Sequence, residues 1–130
     1  MHIWTKDLAP GAWLMLDGNN VMFTSFASEE HIHVTGDDDT TYIVPLADLR
    51  PVYINRFIIE RCGFKRQGEE YSNGLFIIKI GDAGKIFKIT GHRAKRPFVT
   101  HLLSQLHIFQ NIYRKETGDE LIFNREGSSI

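Results

Sequence analysis

The chain has 130 residues, 42% of them hydrophobic and 24% charged, with a formal net charge of −1. That suits one domain, or two very small ones, with a real core, and it excludes a disordered chain. No apolar run approaches the ~18 residues of a membrane span, and the lone Cys62 excludes an internal disulfide or a four-cysteine zinc site. MHIWTKDLAPG carries no basic-then-apolar signal pattern, so a cytoplasmic protein of bacterial type is expected.

The first fifty residues read as short strands joined by tight turns. AWLML (12–16) is apolar and runs into DGNN, a turn signal because Asn and Gly tolerate positive φ. VMFTSFAS alternates, with Val21, Phe23 and Ser25 on one side and Met22, Thr24 and Phe26 on the other. EEHIHV places Ile32 and Val34 together and His31 and His33 together, because side chains two apart share a strand face. TGDDDT is a turn, TYIV the returning strand, and PLADLRPV one more turn into an extended piece. Strands at this spacing predict a small antiparallel SH3-like β-barrel unit within residues 1–54.

From residue 55 the pattern changes. Asn55 is a good helix N-cap, RFIIERC gives one to two turns, and Gly63 sits where a left-handed C-terminal cap belongs. Phe57 and Ile58 are expected to face the core. LFIIKI (75–80) and KIFKIT (85–90) flank GDAG as a hairpin. Leu106, Phe109 and Tyr113 recur at three- and four-residue spacing, the stripe of a helix that covers this hairpin. Gly118 ends that helix and ELIF offers a last strand. Its start is open, since Thr100 and Ser104 both suit a cap and FVTHLL reads as strand or as helix. The expected fold is therefore α+β, with a helix–hairpin–helix unit over 55–130 packed against the first unit as one compact structure.

The small net charge hides a split. Residues 1–50 hold two basic and eight acidic side chains, a balance of −6; residues 51–130, with 13 basic and 8 acidic, carry +5. The basic loop 91–97, with Lys88, His92, Arg93, Lys95 and Arg96, is the sequence's best binding candidate, for nucleic acid or for an acidic protein.

Two stretches carry a resemblance. DLRPVYINRFIIERCGF (48–64) resembles a segment of leucine-x-proline-isoleucine, a capped short helix and glycine-phenylalanine, although Tyr53, Ile54 and Asn55 stand where leucine and threonine belong. HIFQNIYRKETGDEL (107–121) resembles the closing pattern of the same family through His107, Phe109, Gln110, Asn111, Ile112, Tyr113, Thr117, Gly118, Glu120 and Leu121. The family comprises short uncharacterised proteins of Bacteroidetes-type bacteria, often in prophage or mobile-element neighbourhoods. The resemblance covers about a quarter of the chain. It implies a β-rich start, a short helix, a hairpin and a closing helix, and it assigns no catalytic role.

Side chains with chemistry are few. His31 and His33 on one strand face, near Asp37, Asp38 and Asp39, are weak metal-ligand candidates, because no HExxH and no second spaced pair completes a site. His107, Gln110 and Asn111 form a possible polar patch on the last helix, against the alternative that they bond nearby backbone. Cys62 belongs inside, and no GxSxG, P-loop or GxGxxG occurs. No cofactor is expected. The leading expectation is a non-enzymatic interaction or accessory protein, phage-derived, that binds protein or nucleic acid. The alternative is a small metal-dependent or hydrolytic enzyme using these histidines.

Overall fold

A computed structural model describes residues 3, 5–74, 76–80, 86–91, 97–98 and 104–124, with 86–91 and 97–98 described by their backbone. Over these residues the fold is mixed α+β, with two five-stranded antiparallel sheets and two α-helices. The chain divides into two compact units, Met1–Val52 with Gln105–Asn111, and Tyr53–Ser104 with Ile112–Ile130. No helix among the described residues is long and apolar enough to cross a membrane.

In the first unit, β1 (Trp13–Leu16), β2 (Asn19–Phe26), β3 (His31–Thr35), β4 (Thr41–Pro45) and β5 (Leu49–Pro51) form a sheet of order β4-β3-β2-β1-β5. Asp17 and Gly18, at φ 50° and 83°, make the two-residue turn between β1 and β2. Two positive φ values match the right-handed twist of the flanking strands, which sets Leu16 opposite Asn19. Asn19 and Asn20 thus belong to β2 and not to the turn. Leu14, Val21, Phe23, Ile32, Val34 and Leu49 are the buried alternates, joined by Ile3 and Ala12. Each large one removed from water contributes about 1.5–3 kcal/mol.

In this sheet the register between β2 and β3 is interrupted. The β2–β3 register shifts between Phe23 and Ser25, so Phe26 lies opposite Ile32 and its ring meets Phe23 edge-on at 5.1 Å. One inserted residue reverses the facing of everything after it, which places Phe26 on the side of Phe23. The expected closed barrel is an open sheet, with β4 and β5 at its two edges. β5 is three residues long and ends in Pro51, which has no N–H to extend a ladder.

In the second unit, Asn55 caps α1 (Arg56–Arg61), its side chain accepting the Ile58 N–H at 3.0 Å. Gly63, at φ 88°, ends the helix as expected. The buried side chains are Ile58, Ile59 and Cys62, whereas Phe57 points to solvent. The cap sets the helix phase, and only one of the adjacent pair Phe57–Ile58 can share a face with Ile59 and Cys62. Strands β6 (Lys65–Gln67) and β7 (Glu70–Ser72) precede the expected hairpin of β8 (Phe76–Ile80) and β9 (Ile86–Gly91), and β10 (Pro97–Phe98) follows it. Their order is β10-β9-β8-β7-β6.

Helix α2 (Leu106–Thr117) begins after an extended stretch in which Ser104 O accepts from Ile54 N and Leu106 N donates to Val52 O. That settles the helix start, since a backbone bridge holds the residues before Leu106. Leu106, Phe109 and Tyr113 are buried, as their spacing predicts. Gly118, at φ 78°, donates to Arg114 O at 2.8 Å and ends the helix. ELIF is not a strand: Leu121 and Phe123 are buried on alternate positions, but it joins no sheet. It is held instead by Asn124 N donating to Arg61 O at 2.9 Å.

Candidate functional site

The acidic turn and its histidines have local tasks. Asp38 accepts the Tyr42 hydroxyl at 2.7 Å and the Thr40 N–H at 3.1 Å, and these bonds hold its carboxyl below the ordinary range. His31 Nδ1 lies 3.3 Å from Ser28 Oγ at the exposed β2–β3 turn. No acid bonds its other nitrogen among the described residues. His33 lies opposite Ile43 on β4. Among the described residues no group of three His, Cys, Asp or Glu is placed to hold a metal ion.

The residues of the α2 polar patch are buried or bonded to backbone. Gln110 is buried, accepts the Trp13 N–H at 2.9 Å and donates to Gly11 O at 2.8 Å. Asn111 donates to Asp7 O at 2.8 Å. His107 is also buried, and neither ring nitrogen has a hydrogen-bond partner among the described residues. Burial pushes its pKa down, opposed by the nearby Asp7 carboxylate. Lys88 falls on β9, opposite Lys79, with its side chain outside the described set. His92, Arg93, Lys95 and Arg96 lie outside the described residues.

The feature that sequence reading missed lies beside α1. With Ile58, Ile59 and Cys62 turned inward, Phe57, Glu60 and Arg61 share the outer face of the helix at three- and four-residue spacing. Gly63 then reverses the chain so that Lys65 and Arg66 of β6 line the same depression. The bond from Asn124 to Arg61 brings Ile122 to its wall. The result is an open groove of about 760 Å³ with a basic and apolar lining. Phe57 is 71% exposed and Ile122 72%. Arg66 Nε donates to Gly68 O at 3.0 Å, which steadies its side chain along the β6–β7 turn.

Cys62 also lines the groove, but burial pushes its thiol up to about 12, so it is no nucleophile at neutral pH. A second, smaller cleft of about 480 Å³ lies in the first unit, where Ile3, Leu46 and Leu49 meet Glu29, Glu30 and His31. No known protein family, curated protein or solved structure matches this chain.

Proposed function

We propose that the chain is a non-enzymatic interaction protein whose contact surface is the groove beside α1, and that its partner is an acidic protein segment with an apolar face. One observation carries the reading: two large apolar side chains stand in solvent within a groove that also presents Arg61, Lys65 and Arg66. Exposed apolar groups clustered in a concave surface with polar neighbours are what binding sites offer. A protein segment fits better than nucleic acid. Of the two rings in the described lining, Phe64 is buried and only Phe57 exposes a face on which a base stacks; Ile122 has none, and Glu60 repels phosphate.

The same reading makes the protein a cytoplasmic accessory of the phage-derived kind, supported by the closing pattern from His107 to Leu121. The first unit is read as an open SH3-like sheet. Its strand meander, with β5 returning beside β1 after the short helical turn Leu46–Asp48, supports this. Fold alone assigns no activity.

The test is fluorescence anisotropy with a labelled peptide of alternating aspartate and leucine. Phe57→Ser, and separately Lys65→Glu with Arg66→Glu, should each weaken binding about tenfold or more, the latter with loss of salt dependence. Equal binding by all three proteins, or tighter binding of single-stranded DNA than of peptide, overturns the reading.

A further inference from the structure

The groove has a matching surface on the same chain. β4 is the edge of the first sheet and pairs only with β3 among the described residues. Its sequence, TYIVP, contains no charged residue, and it exposes Ile43 at 62% and Tyr42 at 43%. Edge strands are ordinarily blunted by lysine, an inward charge or a bulge, because their unpaired N–H and C=O groups accept any further strand. Within β4 itself Pro45, at its end, also blunts the edge, because it has no N–H to donate.

Acids stand at both ends of this strand. The exposed Asp37, Asp38 and Asp39 lead into it. At the other end Leu46 N donates to Glu30 O at 2.8 Å, which places the exposed Glu29 and Glu30 there. β6 is the edge of the second sheet and has the opposite character: its three residues are Lys65, Arg66 and Gln67, with Phe57 and Ile122 beside them. One edge is apolar with acidic ends, and the other is basic with an apolar flank.

We propose that the occupant of the groove is a second copy of this chain, whose β4 edge adds alongside β6 while Ile43 or Tyr42 meets Phe57 and Ile122. This rests on the groove being the contact surface. Strand addition supplies main-chain hydrogen bonds, and the apolar side chains and opposite charges supply register. The two patches differ, so the contact is head-to-tail and builds a ring or a growing chain. A short edge and one groove sit at the small end of stable interfaces, so association is weak and sensitive to salt.

Sedimentation velocity of the full chain, from low micromolar to near-millimolar concentration, tests this. Mass should rise with concentration and fall with added salt. Ile43→Lys, Phe57→Ser, the pair Lys65→Glu/Arg66→Glu and the pair Glu30→Lys/Asp37→Lys should each raise the dissociation constant about tenfold or more. All these positions are exposed, and circular dichroism verifies that each variant is folded. A monomer at every concentration, or association untouched by Ile43→Lys, overturns the proposal. If that monomer still binds the acidic peptide through Phe57, the second copy is wrong and the groove stands. If it binds neither, both fall.

Discussion

Helix α2 contributes a polar anchor to each unit, and the two anchors are built differently. In the first unit Gln110, 2% exposed, spends both ends of its amide on backbone, accepting from Trp13 and donating to Gly11. In the second, Tyr113 keeps its ring against Phe76 at 5.0 Å and accepts from Asn73 Nδ2 at 2.9 Å through its hydroxyl. The first anchor is polar throughout and depends on hydrogen bonds. The second is mostly apolar burial, with a hydroxyl bonded to Asn73. Beside the first anchor sits His107, 1% exposed, with neither ring nitrogen bonded to a described residue. The first unit therefore holds, within one helical turn, a fully paired buried polar group and one without a partner among the described residues. A buried amide with both partners is neutral to favourable, whereas loss of one side leaves the full desolvation cost.

The largest expected effect comes from Gln110→Leu. It leaves Trp13 N–H and Gly11 C=O unpaired, at about 1–3 kcal/mol each, so a total loss of about 3 kcal/mol is expected in urea unfolding. Trp13 lies in the first unit and its own N–H is the group that loses its partner, so a change in tryptophan emission should report this loss. A loss under 1 kcal/mol would show the amide to be incidental.

His107 sharpens the contrast through pH. Its folded pKa lies below the ordinary 6.5, so the unfolded chain binds the proton more readily. Stability is full above that value and is lost as pH falls below it. Melting temperature should decline from pH 7 toward pH 5, and His107→Phe should flatten that slope. An unchanged slope would move the acid sensitivity elsewhere.

Tyr113→Phe tests the second anchor by removing its hydroxyl bond to Asn73 and sparing its ring. The expected cost is about 1 kcal/mol, well below that of Gln110→Leu. If the two costs are equal, the anchors do not differ as described. Smallest of the set is Asn55→Ala. It removes the cap on α1 at a cost of about 1 kcal/mol or less, because a six-residue helix held by Ile58 and Ile59 keeps its packing. Thiol labelling offers a check on the same packing: native Cys62 should stay unreactive and become labelled only on unfolding.

Much of the fold was legible because it is written in local patterns. Asn55, Gly63, Gly118 and the pair Asp17–Gly18 do at their positions what their backbone chemistry favours. The alternation in β1 to β3 and the spacing of Leu106, Phe109 and Tyr113 name the buried faces. β6 and β7 were not legible, since KRQ and EYS are three residues each and carry no apolar period. The bulge after Phe23 was invisible for a related reason: one extra residue leaves composition unchanged while reversing every later side chain.

The candidate groove was the least legible part, and Phe57 shows why. Phe57 and Ile58 are adjacent apolar residues, so a short helix gives no way to tell which one faces inward until its packing partners are known. The chain by itself determined the caps, the turns, the apolar stripes and the uneven division of charge between its halves, because each depends on residues a few positions apart. Only the tertiary structure decided that Phe57 and Ile122 stand in solvent together beside Lys65 and Arg66, and that Gln110 is anchored 97 residues away on Trp13. Those facts depend on which distant segments meet, and the free energy of such meetings is carried by burial and pairing that no local window contains.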